Sequence, residues 1–145
     1  MTKGFVIMAQ GIDYEKCAGV LEKSIKRVMP DANVTIVTTD MLPHGDQAPD
    51  TDWKLQHDWQ VYEASPYDET LVIDVDYIVQ DRSLLDIFEI EWDYILQRNS
   101  HALSEEYPRY MGHNSLPFIW ATVFAFRKTP RAEQFFKLVA RIQHN

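Results

Sequence analysis

Asp74 and Asp76 are the residues whose type and spacing point most directly to chemistry. They close the run Thr70-Leu71-Val72-Ile73-Asp74-Val75-Asp76-Tyr77-Ile78-Val79, where an apolar stretch ends in two aspartates separated by one valine. Side chains alternate along a strand, so a strand through this run sets both carboxylates on one face and Val75 on the other. Two adjacent carboxylates repel each other at neutral pH. A hard divalent cation removes that repulsion, and a cation held by one or two carboxylates keeps positions for phosphate oxygens. The pattern predicts a metal-diphosphate site at the end of a buried strand. The competing reading is structural, since two acids at a strand end are often only the polar start of a loop.

Other chemistries are poorly supplied. The turn Ala9-Gln10-Gly11-Ile12-Asp13 has neither the dinucleotide fingerprint nor the lysine-bearing phosphate loop, so phosphates here need a metal rather than a nest of amides. The histidines are His44, His57, His101, His113 and His144, and none forms the i, i+4 pair of a helical zinc site. His101 and His113 are the candidate ligands, although a histidine in a polar loop is more often solvated. Ser115 lies in no nucleophile-elbow pattern, which argues against a serine hydrolase. Trp53, Trp59, Trp92 and Trp120 are possible stacking platforms, but tryptophan is more often a core residue. Trp120 is the best functional candidate of the four, because it precedes a predicted strand over Ala121 to Arg127.

The first half of the chain supplies the elements that position these residues. Gly4 to Gln10 reads as a buried strand, and Asp13 is a good helix cap. From Tyr14 to Met29 the apolar residues Tyr14, Cys17, Ala18, Leu21, Ile25, Val28 and Met29 fall on one helical face. Pro30 stops that helix. Asn33 to Thr39 is a second strand ending in Asp40. A loop over Met41 to Asp52 leads to a helix from about Trp53 to Ala64, with Leu55, Trp59 and Tyr62 facing inward. Ser65-Pro66-Tyr67-Asp68 turns into the aspartate-bearing strand. Strand, helix, strand, helix, strand favours a parallel sheet with helices on its faces. Ligands then gather beyond the carboxyl ends of the strands. Gln10, Asp40, Asp74 and Asp76 all sit at such ends, and four polar groups at one rim signal more than any one of them.

The second half is less regular. Ser83 to Phe88 reads as a short helix capped by Asp81 or Ser83. Trp92 to Leu96 reads as a strand, and Phe118 to Arg127 contains β-forming residues. Thr129-Pro130 begins a last helix, cap followed by first-turn proline. Its apolar side is Phe135, Leu138, Val139 and Ile142. No repeat, low-complexity tract or linker divides the chain.

Composition narrows the classes. The chain has 145 residues, the size of one domain, with 46% hydrophobic, 25% charged and 12% aromatic residues, enough for a substantial core. Its net charge of −8, from 22 acidic and 14 basic residues, argues against binding a nucleic-acid polymer through a basic face. A nucleotide bound through a cation remains compatible, because the metal reverses the local sign. Cys17 is the only cysteine, which excludes an intrachain disulfide and a cysteine-rich zinc site. On the apolar face of its helix it is expected to be buried. The expectation is a protein without a leader or membrane span, in a reducing cytoplasm.

Phe5-Val6-Ile7-Met8-Ala9-Gln10-Gly11, the helix with Tyr14, and Val34-Thr35-Ile36-Val37-Thr38-Thr39-Asp40 together resemble the nucleotide-binding half of GT-A-fold glycosyltransferases. Ser65 to Asp76 resembles that family's aspartate-x-aspartate strand with its lead-in. Leu116 to Arg127 resembles the later strand that lies over the donor sugar, and Ala132 to Val139 fits the helix that follows. The pattern is similar to a group of glycosyltransferases of tailed phages, whose setting would be the host cytoplasm.

The resemblance implies an α/β fold, a GT-A-like three-layer sandwich with a mainly parallel sheet, in a single domain over residues 1–145. It implies a metal-dependent transfer from a nucleotide-diphosphate sugar to an acceptor. Asp74 and Asp76 would hold Mn2+ or Mg2+, which assists departure of the nucleoside diphosphate. Ala9, Gln10, Gly11, Tyr14, Asp40 and Asp74 would line the nucleotide, and Trp120 and Thr122 the donor sugar. Members of the family usually continue further, with another metal ligand and acceptor-binding elements. The expectation is therefore a domain lacking its C-terminal acceptor side, with an exposed apolar surface around Phe135, Phe136 and Val123 to Phe126. Self-association as a homo-oligomer, or a missing C-terminal part, is expected to cover that surface. Two rivals stand: a nucleotidyltransferase-like enzyme on a related fold, and a non-catalytic phage interaction module.

Overall fold

The computed structural model describes residues 1–46, 54–97 and 120–143, with the side chains of 54–56, 120, 121 and 143 outside that description. Strand β1 (Lys3–Met8) leads into helix α1 (Ile12–Val28) and strand β2 (Val34–Val37). A 3-10 helix over Lys54–Gln60 runs into the single turn α2 (Val61–Ala64), which feeds strand β3 (Glu69–Ile73). A second such helix over Arg82–Glu89 precedes strands β4 (Tyr94–Gln97) and β5 (Trp120–Arg127), and helix α3 (Pro130–Gln143) follows.

The five strands lie in the order β2-β1-β3-β5-β4. β1 pairs in parallel with β2 (Phe5 beside Val34) and with β3 (Phe5 beside Leu71). β5 pairs antiparallel with β3 (Val72 beside Phe124) and with β4 (Ile95 beside Ala125). The sheet is thus mixed, which corrects the expectation of a mainly parallel one. The first three strands match the parallel reading, with β1 between the other two. An apolar run such as Val123 to Phe126 carries no mark of direction, so the antiparallel return of β5 has no signature in the residues themselves.

Alternation along the strands builds a core on each face of the sheet. Phe5, Ile7, Leu71 and Ile73 pack with Ala18, Leu21 and Ile25 of α1 and with Phe88. Val6, Met8, Val72, Phe124 and Phe126 pack with Val61 of α2 and Phe136 of α3. Each large side chain buried in this way contributes roughly 1.5–3 kcal/mol. Tyr67 packs over β1 at Gly4, its ring only 2.3 Å from where a Cβ on Gly4 would fall. Only glycine fits there. The Tyr67 hydroxyl bonds Thr35 Oγ1 at 2.7 Å, tying the turn before β3 to β2.

Several local expectations are corrected. Cys17 is exposed, because the inward face of α1 is Ala18, Leu21, Ser24 and Ile25. Ser24 is tolerated there since its hydroxyl donates to the Leu21 carbonyl at 2.7 Å and accepts from the Val79 N–H at 3.0 Å. The cap of α1 is Gly11, at φ 101°, and Asp13 lies in the first turn, where its charge favours the helix dipole. Inside the segment before β3, the buried residues are His57, Gln60 and Val61, while Trp59 and Tyr62 are half-buried. On α3 the buried stripe is Ala132 and Phe136, and Leu138 and Ile142 face solvent at 53% and 70% exposure. Phe136, Phe124 and Phe126 are buried against each other, so these described residues do not form the exposed apolar surface expected around them. The expected start of α3 matches: Thr129 Oγ1 accepts from the Ala132 N–H at 3.2 Å, and Pro130 opens the helix. Asp81 caps the helix over Arg82–Glu89 by accepting from the Ser83 N–H at 2.8 Å.

Candidate functional site

Topology brings several chain segments to one rim. The parallel strands β1, β2 and β3 all end there. β5 runs the opposite way, so its beginning lies beside the end of β3, with Val123 opposite Ile73. β4 runs antiparallel to β5, and its last residue, Gln97, pairs with Trp120 at the same rim. β3 is the middle strand and the one where the parallel and antiparallel halves of the sheet meet.

At the corner of β1 and β2, the Ala9 N–H and the Gln10 side-chain amide both donate to the Val37 carbonyl, at 2.9 and 3.0 Å. This double bond set fixes the turn into α1. The Ala9 methyl is fully buried, Gly11 is exposed, and Tyr14 is half-buried against the core. Asp40 is exposed in a 3-10 turn over Thr39–Met41, where its carboxylate accepts from the Thr38 hydroxyl. Of the expected nucleotide-lining residues, Gln10 is thus tied to the β2 end that leads to Asp40.

The second corner carries the aspartates. β3 ends at Ile73, and the Asp74 N–H makes one further bond, to the Thr122 carbonyl of β5 at 2.8 Å. The chain then turns: the Tyr77 N–H donates to the Asp74 carbonyl at 3.3 Å, and Asp74 Oδ1 accepts from the Val75 N–H at 2.8 Å. The two aspartates therefore belong to a turn rather than to strand alternation. Val75 is buried in the core, Asp74 is half-buried and Asp76 is exposed. Burial pushes the Asp74 carboxyl above the ordinary carboxylate range, the Val75 N–H pulls it back, and the Asp76 charge pushes it up again. The pair does feel mutual repulsion, as the sequence predicts.

A third carboxylate joins them unannounced. Asp58, half-buried in the 3-10 helix before α2, has its pKa pushed up to about 7, by burial first and by the Asp74 charge second. Nothing in the sequence marks it, because it sits among Trp59, Gln60 and Val61 in a segment without clean periodicity. Among the described residues neither Asp74 nor Asp76 forms an ion pair. Among those residues, too, no three His, Cys, Asp or Glu side chains gather closely enough to hold a metal ion.

Thr122 lies beside this turn. Its hydroxyl meets the Tyr77 hydroxyl at 2.9 Å and donates to Gln97 Oε1 at 3.3 Å. Trp120 begins β5 rather than preceding it, and its side chain lies outside the described residues, as do His101, His113, Ser115 and Trp53. Trp92 proves structural: its indole N–H donates to the Ile87 carbonyl at 2.6 Å and its ring carries the Arg127 guanidinium. A cavity of about 440 Å³ lies at the other end of the sheet, between Lys3, Asn33, Arg82 and Phe88, and none of the described candidate residues lines it.

No protein-family model matches the chain, and no curated protein matches it. Among solved structures it is similar to the glycosyltransferase GlyE of Streptococcus pneumoniae TIGR4. The apo form aligns over 100% of this chain and 39% of GlyE, with a TM-score of 0.59 and 15% identity. A second GlyE structure gives the same coverage and TM-score at 14% identity. The chain thus spans about two fifths of the length of that enzyme, and at such identities the likeness is one of fold. Among the described residues no helix is long and apolar enough to cross a membrane.

Proposed function

We propose that this chain is a metal-dependent glycosyltransferase domain of GT-A type, or the donor-binding core of one. The observation that carries the reading is the carboxylate turn. Asp74 and Asp76 repel each other at the exit of the central strand, where segments from β1, β2, β4 and β5 converge. The glycosyltransferase fold of the similar structures supports it.

The donor set suits a phosphate-bridging cation. Two carboxylates, half-buried and exposed, without a basic partner among the described residues, match a Mg2+ or Mn2+ ion that keeps sites for water and phosphate. They do not match a zinc cage, which needs four protein ligands. In this reading Asp74 and Asp76 hold the ion, which when bound supplies Lewis-acid assistance to the departing diphosphate. Gly11 brings backbone close to the ligand without a Cβ. Gln10, held by the Val37 carbonyl, and Asp40 face the nucleoside from two strand ends, and Tyr14 backs them. Thr122 and Trp120, at the start of β5, lie on the sugar side. The donor is a nucleotide-diphosphate sugar.

A thermal-shift panel of sugar nucleotides with manganese tests this directly. A nucleotide diphosphate that stabilises the chain only when manganese is present is the expected result. Stabilisation indifferent to manganese, or none across the panel, rejects the metal-dependent reading.

A further inference from the structure

Two of the bonds that fasten the Asp74–Tyr77 turn meet at one residue of β5. The Thr122 carbonyl accepts from the Asp74 N–H at 2.8 Å. The Thr122 hydroxyl donates to Gln97 Oε1 at 3.3 Å, so its remaining lone pairs must accept the bond from the Tyr77 hydroxyl, at 2.9 Å. The hydrogen-bond direction is thereby set along Tyr77, Thr122 and Gln97. Tyr77 returns to the start of the turn through its own N–H, bonded to the Asp74 carbonyl at 3.3 Å. Asp76 is therefore held inside a closed circuit that runs Asp74, Thr122, Tyr77 and back to Asp74.

That circuit commits a hydroxyl that water could otherwise satisfy. Tyr77 is 36% exposed, and an exposed tyrosine hydroxyl ordinarily bonds water at no loss. Here it is committed to a residue 45 positions away in sequence. The turn it fastens carries two carboxylates whose charges oppose each other, a pair that a loose turn would let splay apart.

We propose that Thr122 and Tyr77 are positioning residues, clamping the turn at both ends so that the Asp74 and Asp76 carboxylates stay at the spacing a divalent cation requires. Gln97 orients the Thr122 hydroxyl. The proposal rests on the reading of Asp74 and Asp76 as the cation-holding pair. It makes the clamp a support for the ligands, in the way outer hydrogen bonds generally tune a metal site.

Manganese(II) alone, titrated into the chain and followed by the electron paramagnetic resonance of the free ion, tests it. Tyr77→Phe and Thr122→Val remove one hydroxyl each and keep side-chain shape. Each should weaken manganese affinity by about tenfold or more, the usual consequence of losing an outer support. Thr122→Ser restores the hydroxyl and should restore the affinity. In the metal-free chain, amide exchange at Tyr77 should quicken in Tyr77→Phe and Thr122→Val at unchanged melting temperature, which a general loss of stability would not produce. Unchanged affinity in both variants overturns the clamp, as does a Thr122→Ser variant as weak as Thr122→Val. A wild-type chain that binds no manganese overturns the cation-holding pair itself, and the clamp with it.

Discussion

The two ends of β3 both carry acidic residues, and the chain treats them in opposite ways. At the start, Glu69 is almost fully buried and faces Arg127, Nη2 to Oε2 at 3.5 Å. The same guanidinium donates to the carbonyls of Trp92, Phe88 and Ile90 and lies 4.4 Å from the Trp92 ring centroid. Glu69's charge is compensated, and so is nearly every donor of its partner; the Arg127 Nε alone lacks one. At the finish, Asp74 feels the charge of Asp76, Asp58 feels that of Asp74, and among the described residues neither Asp74 nor Asp76 has a basic partner. A compensated acid serves the fold. At the rim the repulsion is met differently: Asp58 is pushed toward its protonated form and Asp76 is left in solvent.

The contrast is broken most forcefully at the compensated end. Arg127→Met leaves Glu69 buried without its partner, a change that typically costs about 3–5 kcal/mol. Urea unfolding should show that loss, and the aspartate corner should contribute nothing comparable when altered. A loss below about 1 kcal/mol would mean that the long Glu69–Arg127 contact is already hydrated. At the same end of the sheet, Gly4→Ala drives a methyl into the Tyr67 ring, which must swing away and give up its bond to Thr35. Overpacking of that kind costs roughly 1–3 kcal/mol. A melting temperature equal to wild type would show that Tyr67 moves freely.

At the uncompensated end the sign reverses. Asp58 has a folded-state pKa of about 7 against an ordinary value of 3.8. Between those values the native chain holds a proton that the unfolded chain has released. Stability therefore falls as pH rises from about 4 to about 7, and levels off above. Asp58→Asn should flatten that slope and raise stability near pH 8, by roughly 2 kcal/mol once the partial exposure of the carboxyl is allowed for. Denaturant melts at pH 5 and pH 8 measure it. A wild-type chain equally stable at both would place Asp58 in contact with water and away from Asp74.

The same contrast explains what the residues alone disclose. β1, β2 and β3 are legible because each is a short apolar run between turn residues, and the aspartate pair is legible because it interrupts one. The spacing argument pairs Asp74 with Asp76 through strand pleating, whereas the structure places them in a turn fastened to Thr122. Asp58 is invisible because its approach to Asp74 depends on how a 3-10 helix docks, and that packing leaves no period. Cys17 misleads because helical spacing admits two neighbouring stripes. The stripe chosen by folding contains Ser24, a polar residue whose hydroxyl is satisfied by the Leu21 carbonyl within the helix and by a distant backbone N–H, that of Val79. Leu138 and Ile142 mislead likewise, since α3 turns Ala132 and Phe136 toward the sheet, where the small alanine allows close approach and the phenylalanine fills the space between Tyr62 and Phe126.

The smallest stability effect is the most telling for function. Asp76 is exposed, forms no ion pair among the described residues and adds its charge to that of Asp74. Asp76→Asn removes that repulsion and no packing, so unfolding free energy should move by no more than about 0.5 kcal/mol, the range of an ordinary surface change. If the turn holds a cation, the same variant should lose at least about tenfold in manganese affinity, because an amide oxygen is a far poorer ligand for a hard ion than a carboxylate. The two measurements together separate the ends of β3. At the Glu69 end a charge change should alter stability, while at the Asp76 end it should alter binding and leave stability alone. An Asp76→Asn variant that melts well below wild type would make this aspartate structural. One that melts normally and binds manganese as tightly as wild type would move the ion, if there is one, away from the turn.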